Sequence, residues 1–303
     1  MRLRLPIAAA ALLTLLGTVA CQAEPAPVVS TFDAVYRLDL TSRQSSFLGS
    51  TGTYANQPVG IEGLAYAPDG TLFGITDNLK ALFRINPQNA LGSYVGPLAV
   101  SGLASPTTNL DTSLAIAADG RAWMASAALK KLWRLDLATG ATSPVGDLGV
   151  QITGLAARGS ELYGAGARGQ EGLYRIDPAS GRASLVGSGF KASLPYAASI
   201  GLAFDAQGAL WAVVNYIPPQ RDGDPLPTWS DLAQVDLASG TLRLAGNITG
   251  PRELQRSVLQ GFALAVPQGG AVTVDVPANS SWALALLVLL ILALSARRLR
   301  GAH

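Results

Sequence analysis

Five-fold repetition is the feature of this chain that most limits how it can fold. A four-residue element recurs five times, each copy holding a small residue, a bulky apolar residue, alanine and a further apolar residue. The copies occupy residues 63–66, 113–116, 154–157, 201–204 and 261–264. Self-similarity with a period of about 40 to 60 residues indicates a repeat architecture rather than one irregular core.

A second element alternates with the first and also occurs five times. It reads Arg-Leu-Asp-Leu or a close variant, at residues 37–40, 84–87, 134–137, 175–178 and 234–237. A turn and a short segment ending in glycine follow it, as in Val145-Gly146. Asp-Gly pairs such as Asp119-Gly120 stand between the two elements and favour the positive φ of tight hairpin turns. Each repeat therefore predicts four strands, named a, b, c and d in chain order.

The four-stranded units predict the fold class. Small and apolar residues alternate in them, as expected for strands that are packed on both faces. Repeats of four strands and about 40–50 residues are typical of the blades of a β-propeller. An open, twisted stack of the same units is the alternative.

The two ends of the repeat region favour a closed ring. The chain begins with strands c and d alone, at 35–40 and 46–50, and ends with strands a and b alone, at 261–266 and 271–276. The two halves can complete one blade between the termini, which an open stack would not explain. The sequence therefore predicts an all-β, five-bladed β-propeller over residues 30–277, closed by N- and C-terminal strands.

Composition excludes several function classes. The chain has one cysteine, which rules out a disulfide framework and a cysteine-clustered zinc site. Its single histidine is the last residue, His303, so a Ser-His-Asp or Cys-His mechanism has no suitable histidine. Without the five arginines near the two ends, 17 basic residues face 20 acidic ones. A mildly acidic domain of this kind does not indicate a nucleic-acid partner.

The N-terminus reads as a signal peptide over residues 1–23. Arg2 and Arg4 precede an apolar run that ends in small residues, which is the pattern that signal peptidase recognises. Cleavage is expected after Ala23 or Ala20. A lipoprotein signal with lipidation at Cys21 is the alternative, although Thr18 stands where such signals usually carry leucine.

The C-terminus, residues 278–303, combines a short polar signature, an apolar run at 283–296 and a basic end. Trp282 and the arginines are placed as anchors at opposite membrane interfaces, with the arginines on the cytoplasmic side. The tail resembles the PEP-CTERM and IPTL-CTERM sorting tails of Gram-negative bacteria. The matching residues are Pro277, Ser280, Trp282, Arg297, Arg298 and Arg300; Ala278-Asn279 departs from both signatures.

The resemblance to sorting tails implies a cellular location. It implies export, transient anchoring in the inner membrane by a C-terminal helix, and processing by an exosortase-type enzyme. The mature protein would then reach the cell surface or the extracellular matrix. A permanent single-span anchor is the alternative.

Propeller topology assigns the candidate binding residues to one face. The d-to-a and b-to-c connections of every blade emerge together around the central channel, on what is called here the mouth face. The expected ligand-binding residues are Glu62, Asp77, Asp111, Thr153, Asn215 and Trp229. A long segment in the fourth complete repeat, residues 215–231, is rich in proline and predicts a binding lid.

One repeat carries a second resemblance. Residues 61–64 and 72–77 are similar to the first blade of the gluconolactonase and strictosidine-synthase-like propellers. That resemblance implies a channel Ca²⁺ bound by Glu62, for which Asp111 and Asn215 are the available partners. The alternative is that Glu62 is a polar mouth residue that accepts hydrogen bonds from neighbouring backbone amides.

Three functions follow, in order of preference. The first is an exported, non-enzymatic propeller without a cofactor, which binds a glycan, peptide or envelope component at the channel face. The second is a calcium-dependent, lactonase-like hydrolase that uses Glu62. The third is a structural matrix protein. No catalytic residue is assigned.

Overall fold

The described part of the protein consists of β-structure. The structure is a computed structural model, and it describes residues 25–100, 103, 105, 107–218, 228–251 and 258–265. These residues form five four-stranded sheets and one two-stranded hairpin, with no helix among them. Accordingly, these residues include no helix that could cross a membrane. The predicted signal peptide and the sorting residues from Pro277 onward lie outside the described residues.

Each four-stranded sheet is one blade of a five-bladed β-propeller, which confirms the predicted fold class. The strands of each blade are given from the channel outward. Blade 1 consists of β22 (Phe262–Ala263), β1 (Val28–Ser30), β2 (Ala34–Leu38) and β3 (Ser45–Ser50), and blade 2 of β6 (Ile61–Tyr66), β7 (Leu72–Thr76), β8 (Ala81–Ile85) and β9 (Gly92–Pro97). Blade 3 consists of β10 (Thr112–Ile116), β11 (Ala122–Ser126), β12 (Lys131–Leu135) and β13 (Thr142–Asp147), blade 4 of β14 (Ile152–Arg158), β15 (Glu161–Gly166), β16 (Gly172–Ile176) and β17 (Ala183–Leu185), and blade 5 of β18 (Ala197–Phe204), β19 (Leu210–Tyr216), β20 (Trp229–Val235) and β21 (Leu242–Asn247). A hairpin of β4 (Thr53–Tyr54) and β5 (Gln57–Pro58) joins blades 1 and 2.

Blade 1 is closed by strands from both ends of the chain, but the number of strands that each end contributes differs from the prediction. We expected two strands from each end, with residues 271–276 as strand b. Instead, β1 pairs with β22 on one side and with β2 on the other, so the N-terminal segment supplies strands b, c and d. Residues 271–276 lie outside the described residues, and the strand b position that we assigned to them is occupied by Val28 and Val29, both almost fully buried.

The core is divided among the interfaces between blades. Five clusters of buried side chains are present, and each combines residues from two adjacent blades. Successive side chains of a strand point to opposite faces of its sheet, and here both faces meet a neighbouring blade. Trp123 packs towards blade 4 and Trp133 towards blade 2. The alternation of small and apolar residues therefore reflects two-sided packing.

The repeated Asp and Arg residues are structural. In blade 3, Asp136 accepts hydrogen bonds from the backbone amides of Ala138 and Thr139, which holds the turn between strands c and d. Gly140 completes that turn with a φ of 76°. The Arg134 guanidinium lies 4.8 Å from the centroid of the Trp123 ring, in cation–π contact.

The glycine at the end of strand d allows the blades to approach each other. A Cβ at Gly96 of blade 2 would collide with the carbonyl oxygen of Thr139 in blade 3. The same clash would arise at the blade contacts Gly49–Asn89, Gly146–Ser180 and Gly187–Ser239. At the last interface, backbone hydrogen bonds join Thr249 to Arg43 and Ser45 of blade 1. The ring is therefore closed at its outer edge as well as at the channel.

Candidate functional site

The channel is sealed just below the mouth face. The second residue of each repeat element comes from the innermost strand of a different blade, and all five are buried. These residues line the narrow channel and form the channel seal: Leu64, Leu114, Leu155, Leu202 and Phe262. A ligand that enters from the mouth face therefore meets the polar residues above the seal.

Two β-bulges shape the polar layer above the seal. Between β6 and β7 the register shifts from Ile61 to Gly63, so Glu62 is the unpaired residue. Between β14 and β15 it shifts from Ile152 to Gly154, so Thr153 is unpaired. Bulges redirect side chains and are common next to active sites.

Both bulge residues reach the next blade. The Glu62 carboxylate oxygen Oε2 accepts hydrogen bonds from the Thr112 backbone N–H (2.9 Å) and hydroxyl (3.1 Å). Thr153 Oγ1 accepts a hydrogen bond from the Ile200 N–H at 2.9 Å. The sequence-predicted residues Glu62 and Thr153 therefore lie at the mouth and also connect blades.

Glu62 has an unusual charge environment. Burial raises the pKa of its carboxyl group to about 7, the hydrogen bonds from Thr112 oppose this shift, and the negative charges of Asp77 and Asp111 add to it. No ion pair to Glu62 occurs among the described residues. Glu62 can therefore exchange a proton near neutral pH.

The other two carboxylates each have a cationic partner. Asp77 is 2.7 Å from Lys80 Nζ and also accepts a hydrogen bond from the Leu110 N–H. Asp111 is 2.8 Å from Arg168 Nη1, and Arg168 Nε donates to the carbonyl oxygen of Ala198. These contacts place Asp77 and Asp111 on the same side of the mouth as Glu62.

Asn215 lies in a separate cluster in blade 5. It is almost fully buried, its amide donates to Ser199 Oγ at 3.0 Å, and its Oδ1 accepts from Ser230 Oγ at 2.6 Å. In the part of the chain that the structure describes, no three His, Cys, Asp or Glu residues are grouped closely enough to hold a metal ion. A calcium site on Glu62, Asp111 and Asn215 stays a prediction.

The aromatic side of the mouth is also in blade 5. The rings of Tyr216 and Trp229 are stacked, with centroids 4.8 Å apart and an interplanar angle of 13°. Asn215 and Trp229 belong to strands β19 and β20, so the connection that we predicted as residues 215–231 is shorter and starts after Tyr216. Residues 219–227 of that connection lie outside the described residues.

Two exposed aromatic residues at the mouth were not predicted from the sequence. Phe32 lies in the b-to-c connection of blade 1 with 41 % of its surface exposed, and Tyr196 directly precedes β18 with 55 % exposed. Tyr196 also has a φ of 66°, a conformation that is uncommon for a bulky residue. The signal was their position in mouth connections, but neither belongs to a repeated element.

Several charged mouth residues share that backbone conformation. The φ angles of Lys80, Lys130 and Arg168 lie between 47° and 58°, whereas Gly140 in an opposite-face turn occupies the same region. Glycine would adopt it with less strain. Arg43 and Ala90 adopt it in opposite-face turns as well, so this conformation does not distinguish the mouth face.

A comparison with family models places this sequence. Residues 35–216 match the model described as a repeat of unknown function, DUF6923. The chain belongs to this DUF6923 family. A comparison with curated proteins finds no match.

Several solved structures are similar to this DUF6923 member. A chain from a nidogen/laminin complex aligns with a TM-score of 0.50 and 13% identity, covering 80% of this chain and 99% of that one. A TolB-like protein from Agrobacterium tumefaciens has a TM-score of 0.43 and 13% identity, covering 78% and 94%. Virginiamycin B lyase from Staphylococcus aureus has a TM-score of 0.38 and 15% identity, covering 63% and 71%. At these identities the similarity concerns the fold alone.

Proposed function

We propose that this protein is an exported, non-enzymatic β-propeller that binds a glycan, peptide or other envelope component at its mouth face. The observation that carries the proposal is the combination of exposed aromatic rings and polar groups above a sealed channel. Concave sites with apolar walls and a few polar groups are the usual form of a binding site. Export is supported by the signal-peptide pattern and by the resemblance of the tail to sorting tails.

The two sides of the mouth would have different roles. The half-buried Trp229 ring, which is stacked on the buried Tyr216 ring, and the exposed Tyr196 ring offer flat apolar surfaces to a sugar ring or to a peptide side chain. The carboxylate side, with Glu62, Asp77 and Asp111, would fix the orientation of the ligand through hydrogen bonds. Binding by several blades at once would follow from this arrangement.

A second candidate function rests on Glu62. A carboxyl group with a pKa of about 7 is suited to general-base catalysis at neutral pH. A calcium-dependent, lactonase-like hydrolase would use that property. We rank it second because Asp111 already pairs with Arg168, and Asn215 with Ser199 and Ser230.

The proposal is tested by ligand capture on glycan and peptide arrays. We expect Trp229→Ala to weaken capture by about 1–3 kcal/mol, the free energy of burying an aromatic face. Trp229 also packs against the blade 4–5 core, so some loss of stability is expected and must be measured by thermal unfolding.

Trp211→Ala is the matched control, because Trp211 is a half-buried tryptophan whose Nε1 donates to Asp205 near the opposite face. Equal loss of capture in the two folded variants would contradict binding at the mouth.

A further inference from the structure

A small polar pocket lies directly above the channel seal. Side chains from four blades line it: Glu62 from blade 2, Ser113 from blade 3, Thr153 from blade 4 and Gln260, two residues before the innermost strand of blade 1. The space is about the size of one water molecule, and it opens towards the mouth. It can therefore hold a single small group at the end of a larger ligand.

Two polar atoms at this pocket lack a protein partner. Ser113 is 4% exposed, and its Oγ has no hydrogen-bond partner among the described residues. Within the same described part of the chain, the buried Oε1 of Gln260 is also unpartnered. Buried polar atoms are nearly always paired with protein, water or ligand. The two atoms therefore point to a bound group that donates hydrogen bonds.

The charge of the pocket is negative. Glu62 uses Oε2 for both bonds from Thr112, which leaves Oε1 available. The nearby cations are engaged elsewhere, since Lys80 pairs with Asp77 and Arg168 with Asp111. The pocket thus offers a carboxylate oxygen, a carboxamide oxygen and a hydroxyl oxygen.

We propose that this pocket binds a primary ammonium group, whose N–H groups donate to Glu62, Ser113 and Gln260. An ammonium group has three donors and no acceptor, which matches the three oxygens in number and in charge. Ca²⁺ takes six to eight oxygen ligands, and Thr153 Oγ1 is already bonded to Ile200. The inference rests on the proposed function, because it names the ligand chemistry for the same mouth.

The test is calorimetric titration of the full chain in detergent with methylammonium. We expect saturable binding, and at least tenfold weaker binding of tetramethylammonium, which has no N–H donor and is larger. Glu62→Gln should weaken methylammonium binding at least tenfold and Ser113→Ala several-fold. The controls Glu161→Gln, at an ion pair on the opposite face, and Ser93→Ala, on outer strand β9, should leave it unchanged.

Binding should also depend on pH. Only ionised Glu62 pairs with an ammonium group, so affinity should rise about tenfold from pH 6 to pH 8. The charged groups around Glu62 are Asp77 and Asp111, paired with Lys80 and Arg168. If Glu62→Gln fails to fold, Ser113→Ala and the pH profile of the unmodified chain decide the question.

Three results would overturn the inference: equal binding of tetramethylammonium, preferential binding of Ca²⁺, or no effect of either pocket variant. The array experiment separates this failure from that of the proposed function. Trp229-dependent capture without methylammonium binding refutes the ammonium site and leaves mouth binding intact. Methylammonium binding without Trp229-dependent capture supports the pocket and refutes the wider proposal.

Discussion

Glu62 shows how one residue can serve both the fold and the site. Its Oε2 atom joins blade 2 to blade 3 through Thr112, while burial and neighbouring carboxylates make its ionised form unfavourable. The folded protein therefore holds a proton on Glu62 at pH values where the unfolded chain does not. Stability should fall as the pH rises from about 4.5 to about 7, because the unfolded chain loses its proton first.

The raised pKa of Glu62 predicts the effect of Glu62→Gln. Glutamine keeps an oxygen that can accept the bonds from Thr112 but carries no charge. We expect the variant to be more stable than the parent at pH 8, by about 1–2 kcal/mol after allowance for solvent screening at the mouth. The difference should disappear near pH 4. Urea unfolding at both pH values measures it, and a pH-independent difference would contradict the raised pKa.

The sequence allowed the position of Glu62 to be predicted but not its partner. The repeat register places it just before strand a, whereas the structure has it as the second residue of β6. The bulge that leaves Glu62 unpaired depends on backbone hydrogen bonding, which no residue pattern in the repeat reveals. Arg168 and Tyr196 could not be identified for a related reason, since their connections differ from blade to blade.

At the scale of elements, the glycine of strand d determines how closely neighbouring blades can pack. Gly96 lies against the turn between strands c and d of the next blade, where backbone atoms leave no space for a side chain. The repetition of Gly at this place was visible in the sequence. The reason for this glycine could not be recognised in the sequence, because the close contact joins residues of different repeats.

Gly96→Ala should therefore be strongly destabilising, by about 3 kcal/mol, since a backbone carbonyl cannot rotate aside as a side chain can. The control is Gly120→Ala, where a Cβ meets no atom within 4 Å but the φ of 82° imposes backbone strain. That strain should cost about 1 kcal/mol. Equal unfolding midpoints for the two variants in urea would show that blade contact does not explain the glycine.

At the scale of the whole molecule, closure depends on a strand that the repeats did not reveal. The segment Val28–Ser30 is three residues long and resembles no repeated element, so the sequence suggested residues 271–276 instead. In the structure, Val28–Ser30 occupies the strand b position of blade 1. The number of blades was predictable because it depends on counting repeats, whereas the origin of one strand was not.

A pair of matched substitutions tests this closure. Val29 has no exposed surface, so Val29→Ala should destabilise the protein by about 2 kcal/mol through loss of buried methyl groups. Val272→Ala makes the same change in the segment that we first assigned to strand b, and it should leave thermal unfolding unchanged. If Val272→Ala were the more destabilising of the two variants, the original assignment of residues 271–276 to strand b would be correct.

One experiment tests most directly whether the mouth binds a ligand without turning it over. A ligand captured on the arrays is titrated into the protein to measure binding, and the recovered ligand is analysed chemically for turnover. The compared variants are Tyr196→Gly and Lys191→Gly, which both relieve a left-handed backbone, with φ of 66° and 54°, in the connection before β18. We expect about tenfold weaker binding for Tyr196→Gly only, equal to about 1.4 kcal/mol, and a ligand recovered unchanged. Equal binding by both variants, or calcium-dependent hydrolysis of the ligand that Glu62→Gln abolishes, would contradict the proposed function.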